Sequence, residues 1–386
     1  MKIDKSKWKT YRFEEFAQNI SQRVEPQSTD LDIYVGLEHL DPDSLHIKRY
    51  GSPSSVEGTK LKFYKGNIIF GKRRAYQRKA ALAECDGICS AHAMVLRAKT
   101  DFIDERLFPF FFHAKVFRTR AVDISVGGLS PTINWKDLAK QEFLLPPKEE
   151  QARLAELLWA ADEVVEREKE VKERLNVCRQ SLMKEQFVSV KSTEMLSNLP
   201  IKEINGLWKT DENVETIDVN VIRSTEFAEY GNIHFETLET MPVKVSQYIT
   251  RKLYPNDIIV ERSGGSPDQA VGRVCFFEKI DGEYSFSNFT SCIRVSDETN
   301  IKAKYLFYYL QFLWEMKGTD RIQNQTTGIR NLDYELYKRI RIPICHIKRQ
   351  EEIIIDIDNM QKIIYCHDNQ IIRTNQLKSA LINQIF

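Results

Sequence analysis

No stretch of the 386 residues approaches the roughly 18 consecutive apolar positions that a membrane-spanning helix needs. The opening residues, from Met1 to Trp8, lack the apolar core of a secretory signal. Cysteine is sparse: seven are scattered along the chain, an odd number that forms no disulfide framework. A reduced, cytoplasmic protein is expected. Neither charge dominates, since 56 Lys+Arg stand against 55 Asp+Glu, a net of +1. This argues against wholesale attraction to a polyanion. What remains is 42% hydrophobic, with a mean hydropathy of −0.42. That composition supports packed cores and excludes a disordered or collagenous chain. At roughly 150 residues per domain, two or three domains are anticipated.

The neutral total hides one basic segment. Residues 1–200 carry 33 basic and 29 acidic side chains, and the remainder 23 and 26. Between Glu57 and Glu84 lie eight cations (Lys60, Lys62, Lys65, Lys72, Arg73, Arg74, Arg78, Lys79) and no acid. A local polyanion contact suits this pattern.

Catalytic patterns are missing. Gly66-Asn-Ile-Ile-Phe-Gly71-Lys72-Arg73 resembles a phosphate-binding loop but lacks the Ser/Thr after Lys72, and its apolar centre reads as a strand. Cys85, Cys89 and His92 supply three donors at plausible zinc spacing, but only the lone His113 lies near as a fourth. Cys178, Cys275 and Cys292 sit in apolar runs and read as core residues. There is no Gly-x-Ser-x-Gly elbow, no His-Glu-x-x-His and no Asp/Asn-Pro-Pro-aromatic tetrapeptide. No metal, cofactor or catalytic centre is expected.

The organisation is a repeat. Two segments, 149–187 and 349–386, lack Gly and Pro and are rich in helix formers. Gln151 maps on Gln350 and Phe187 on Phe386 at one offset of 199. Upstream, Lys65 to Arg73 lines up with Pro255 to Arg262, and Ser90 to Arg97 with Ser287 to Arg294. Two units of about 195 residues follow, each a globular part and then a long helix. Short β-branched and aromatic runs alternate with turn residues in both globular parts. The fold class is α+β, with a twisted, mostly antiparallel sheet in each half. Residues 303–316 read as one buried helix, with 104–118 as its counterpart.

Heptad rows indicate that the helices pair. In the first helix one row runs Leu154, Ala161, Glu168, Leu175, Leu182 and the other Leu157, Val164, Val171, Cys178. In the second, Met360, His367, Thr374 and Leu381 form one row and Ile357, Ile364 and Ile371 the other. The charged run from Asp162 to Glu173 reads as a solvated face. The chain direction makes the pair antiparallel, and twofold symmetry places residue i opposite 535 − i. That register matches Leu154 with Leu381, Val164 with Ile371, Val171 with Ile364, Leu175 with Met360 and Leu182 with Ile353. At its centre Glu168 faces His367, a polar layer able to fix register.

Four polar loops are candidates for binding. The first holds Lys72, Arg73, Arg74, Tyr76, Gln77, Arg78 and Lys79, five cations in eight residues with an aromatic and an amide. Its repeat counterpart holds Arg262, Ser263, Ser266 and Gln269. A second loop in each repeat carries Ser125, Ser130 and Thr132, and Gln323, Gln325, Thr326 and Arg330. His92 and Asn288, read as equivalent positions, are added. Arg and Gln side chains can reach base edges, and Lys can hold phosphates.

At this point the chain resembles a known family, the specificity (S) subunits of type I restriction–modification systems. The resemblance rests on the run from Tyr34 to Ile47, on Lys65-Gly-Asn-Ile-Ile-Phe70, and on the Pro-Pro-x-Glu-Glu-Gln helix start at Pro146 with its copy at Pro343. The copy lacks the second Pro and has altered spacing. The resemblance spans essentially all 386 residues. It implies two target-recognition domains, 1–147 and 189–345, separated by long antiparallel coiled-coil helices, 148–188 and 346–386, in a pseudo-twofold layout. It implies a non-catalytic subunit that reads a split site in double-stranded DNA. It also implies docking of two modification subunits, which methylate adenine, and of restriction subunits. A stand-alone DNA-binding regulator and a coiled-coil scaffold are the competing readings.

Overall fold

The computed structural model describes residues 4–208, 214–264, 269–326 and 329–386. The chain forms two compact units, one of residues 1–170 with 368–386, the other of residues 171–367. Both long helices, Lys148–Val188 and Ile347–Ile385, therefore contribute a segment to each unit.

In the first unit a four-stranded antiparallel sheet runs in the order Ala17–Ile20, Ala93–Ala98, Ile68–Gly71, Ala80–Leu82. Every residue of Ile68–Gly71 is buried, which explains its unbroken apolar run. A second sheet orders Arg23–Val24, Lys60–Phe63, Gly87–Cys89 and Tyr34–Val35, the last pair parallel. The ribbon Lys9–Arg12 with Glu142–Leu145 leads into the first long helix. An aromatic core built on Phe13, Phe16, Phe111, Phe117 and Phe143 lies beneath.

The second unit repeats this plan. Its sheet runs Ile201–Asn205, Thr290–Val295, Asp257–Glu261, Val274–Phe277. Thr216–Ile222 pairs parallel with Tyr284–Phe286, and the ribbon Thr193–Met195 with Arg341–Pro343 precedes the second long helix. The buried helix is Ala303–Glu315. Its counterpart in the first unit is two helices, Phe108–Phe111 and Lys115–Asp123, rather than the single one expected. At about 100° per residue, Phe110, Phe111 and Phe112 would spread around an unbroken helix. The extended Ala114 breaks it, and all three rings are buried.

The two helix starts are fastened identically. Gln151 accepts from the Asp104 amide (2.6 Å) and donates to the carbonyls of Phe102 (3.0 Å) and Pro146 (2.9 Å). Gln350 accepts from the Lys302 amide (2.9 Å) and donates to Asn300 (2.9 Å) and Cys345 (2.8 Å). Each side chain satisfies three backbone groups that burial would otherwise leave unpaired. The helix ends match as well. Phe187 packs on Tyr305 and Tyr309 in the second unit, and Phe386 on Phe111 in the first.

Within each unit the two helix segments run antiparallel, but the seam of the first helix differs from the heptad reading. Val164 and Val171 are 46% and 43% exposed, and Leu157 and Cys178 are exposed too. The buried row is instead Gln151, Ala155, Leu158, Asp162 and Val165 in the first unit, and Arg179, Met183 and Gln186 in the second, and part of it faces the globular parts, since Gln151 bonds Asp104 and Phe102 and Arg179 bonds Glu315. This row keeps the alternating four-and-three spacing, shifted by one residue. The doublets Leu157-Leu158 and Val164-Val165 satisfy either phase, so periodicity alone could not choose. Of the other expected seam residues, Leu154, Ile353 and Ile364 are buried, while Glu168, Leu175, Leu182, Met360, His367, Ile371 and Leu381 are half-buried.

Asp162, expected on a solvated face, is buried. It accepts from Lys378 of the second helix (3.0 Å), itself buried, and from His46 of the globular part (2.7 Å). The hydrogen bond to Asp162 pushes the His46 imidazole above its ordinary value. Burial raises the Asp162 carboxyl, but His46 and Lys378 together outweigh it and hold the group below the usual range. Glu168 accepts from Gln370 at 2.6 Å.

Candidate nucleic-acid interface

In the first unit the central strand Ile68–Gly71 ends by delivering Lys72, whose carbonyl accepts from the Ile133 amide (3.0 Å). Arg73 forms an isolated β-bridge with Thr132, and the Arg74 amide donates to Pro131 (2.7 Å). The basic loop and the 125–132 loop are thereby tied together at the end of the sheet. Arg74 and Arg78 both adopt left-handed backbone, φ 57° each. Such strain costs about 1–3 kcal/mol per residue and accumulates at functional sites.

Side chains tighten the cluster. The Arg73 guanidinium donates to His92 Nε2 (3.2 Å) and to Ser130 Oγ (3.2 Å), and Arg74 Nε reaches the same hydroxyl (3.3 Å). Because an arginine only donates, His92 must accept here. Burial, and after it Arg73, Lys72 and Lys60, push the His92 imidazole below its ordinary value, which keeps the ring neutral. Two members of the basic run are turned away: Arg78 pairs with Asp43 (3.0 Å), and Lys79 donates to the Leu37 carbonyl (2.6 Å). Tyr76 is exposed and Gln77 half-buried. Ser125 and Thr132 bond local carbonyls, of Ala121 and Ser130.

The second unit joins its loops by a different device, a small sheet ordered Ser263–Gly264, Ile329–Leu332, Gln323–Thr326. The Leu332 amide donates to the Arg262 carbonyl (2.8 Å), the same link as Ile133 to Lys72. Arg262 lies over the Tyr334 ring (4.2 Å) and donates to Asn205 (2.9 Å). Ser263 bonds Asn331, and Gln323 accepts from the Val271 amide (3.3 Å). Gln269 and Arg330 are half-buried beside them. Ser266 lies outside the described residues, as do the side chains of Gln325 and Thr326.

One equivalence is corrected. Gly71 pairs with Ala93 and Glu261 with Thr290, so the partner of His92 in the repeat is Phe289, and Asn288 corresponds to Ala91. The Phe289 carbonyl accepts from the Ser263 amide (3.1 Å), as the His92 carbonyl does from the Arg73 amide (3.4 Å). Phe289 and Asn288 are both exposed. Sequence reasoning also missed Leu129, 96% exposed at the tip of the 125–132 loop, an apolar group able to meet a thymine methyl. Among the described residues no helix is long and apolar enough to cross a membrane.

Two α+β units, each presenting a paired polar loop at the end of its sheet and each closed by long helices, define a fold shared with solved chains. One comes from work on complex assembly and conformational transition of the type I R-M system, with a TM-score of 0.63, 16% identity and coverage of 98% of this chain and 97% of that one. Another is the type I restriction–modification S subunit from M. genitalium, with a TM-score of 0.54, 13% identity and coverage of 100% and 98%. The family model described as "Type I restriction modification DNA specificity domain" matches twice, over residues 6–177 and 205–379, and the chain belongs to that family. Among curated relatives, the EcoDI specificity subunit of Escherichia coli is 27% identical over 186 residues, 47% of this chain and 41% of the relative. The chain thus spans less than half of that relative's length. The MjaVIII specificity subunit of Methanocaldococcus jannaschii is 24% identical over 341 residues, 77% and 71% of the two chains.

Proposed function

We propose that this chain is the non-catalytic specificity subunit of a type I restriction–modification complex, reading a bipartite site in double-stranded DNA. The observation that carries the proposal is the recurrence, in both repeats, of a loop pair tied to the end of the central sheet. The first pair gathers Arg73, Arg74, His92 and Ser130, and the second Arg262, Ser263, Asn331 and Gln323. The two sets differ in chemistry, so the half-sites differ in sequence. Arginine and amide groups read base edges there, and lysines hold phosphates.

In this reading the target-recognition domains are 1–147 and 189–345. The helices 148–188 and 346–386 dock two modification subunits, which methylate adenine, and the restriction subunits join them in the cytoplasm. The helices pair antiparallel, as Asp162 with Lys378 and Glu168 with Gln370 do within the first unit, a register three to five residues away from one that sets Glu168 opposite His367. Near-neutral net charge fits a subunit whose partners share the phosphate contacts. The test is a gel shift on the methylated motif with and without modification subunits. Tight specific binding by the isolated chain, unaffected by those subunits, would favour a free-standing regulator instead.

A further inference from the structure

Beside the basic loop of the first unit lies a pocket of about 360 Å³ in which Arg23, Lys60 and Lys72 converge with Asn19, Ser21 and Trp135. These residues come from separate elements: the strands Ala17–Ile20, Arg23–Val24 and Lys60–Phe63, the end of Ile68–Gly71, and the short helix Trp135–Ala139. Among the described residues no Asp or Glu lines it. Lys60 donates to backbone carbonyls of Glu57 and Gly58, and neither Arg23 nor Lys72 forms an ion pair among the described residues. Burial, and then Arg23, push the Lys72 ammonium below its ordinary value. His92, also pushed down in part by Lys72 and Lys60, registers the same positive potential. Three cations held together without a counter-charge destabilise the free protein, and a bound polyanion offsets that repulsion.

The repeat shows how such a group can be satisfied internally. The matching backbone links make Arg262 the counterpart of Lys72 and Tyr334 that of Trp135. Strand register makes Asn205 the counterpart of Ser21, since Ile20 faces Val95 as Ile204 faces Cys292. In the second unit the arginine stacks on the tyrosine and bonds the asparagine. In the first, the corresponding lysine, serine and tryptophan instead line the pocket, joined by two further cations.

We propose that the pocket of Arg23, Lys60 and Lys72 seats a phosphodiester of the DNA strand read by the first domain, and that the second domain has no matching seat. The proposal rests on the DNA-reading function above. A phosphate fits because the site offers cationic donors, and such a contact positions the duplex without carrying sequence information. The test uses the full chain assembled with its modification subunits. Affinity is measured by fluorescence anisotropy over a salt series, on a duplex carrying the methylated motif and on one with the first half-site scrambled. Arg23→Ala and Lys60→Ala are each expected to lower the slope of log K against log salt by about 1 and weaken both duplexes alike. Arg23→Lys should restore most of the slope, and melting temperatures of the variants report that the fold is intact. Unchanged slopes in both alanine variants overturn the seat, as does a selective loss on the motif duplex, which would make these residues base readers. A wild-type complex that fails to prefer the motif duplex overturns the DNA-reading function itself.

Discussion

Replacing Lys378 by methionine removes one partner of a buried charge pair and leaves the Asp162 carboxylate in place. That carboxylate is 2% exposed and would keep only His46, at 2.7 Å. Stranding a buried charge costs about 3–5 kcal/mol, whereas exchanging both partners for apolar groups of similar volume is close to neutral. Lys378→Met should therefore destabilise the chain by about 3 kcal/mol or more in urea denaturation, and the double variant Asp162→Leu/Lys378→Met should recover most of the loss. His46 adds a pH signature. Its folded pKa lies above the unfolded value of 6.5, so its stabilisation is fully present below that pH and disappears as pH rises through the folded value. Asp162→Asn should flatten this dependence. A Lys378→Met penalty below about 0.5 kcal/mol, the range of an exposed ion pair, would contradict the buried seam and restore the solvated-face reading.

Arg73→Ala with Arg74→Ala should abolish methylation at the native site, read by sequencing of modified DNA; a uniform loss on every sequence would make them phosphate anchors. Matched insertions or deletions in both long helices should change the spacer and leave the half-sites alone. The 41-residue first helix spans about 60 Å at 1.5 Å per residue, which bounds the centre-to-centre separation at roughly 18 base pairs at about 3.4 Å each. Burial holds His113 down to about 4, so stability should fall by up to about 3 kcal/mol as pH drops from 6.5 towards 4, and His113→Gln should remove that slope.

The repeat was legible because the residues that anchor each helix recur at one offset. Gln151 and Gln350 make the same three bonds, and such a role tolerates few other side chains. The recurrence of the polar loops was legible for a similar reason, as the first follows an equivalent strand in each repeat and the second precedes an equivalent helix start. The seam phase was not, because adjacent apolar doublets fit two phases and the deciding residue, Asp162, is polar. Its burial depends on Lys378 and His46, distant in sequence. The split helix over 108–123 escaped notice because aromatic content favours one buried helix until three consecutive rings must all face inward. The Arg23–Lys60–Lys72 pocket draws on several separate elements, so no local pattern could announce it.

Mapping adenine methylation across the genome of a host that carries this chain and the proposed modification subunits decides whether it reads a split site. One motif made of two different half-sites with an unread spacer is expected, and Arg73→Ala/Arg74→Ala should remove or alter it through the first half-site alone. A continuous motif, or methylation that persists unchanged when the chain is deleted, would contradict it.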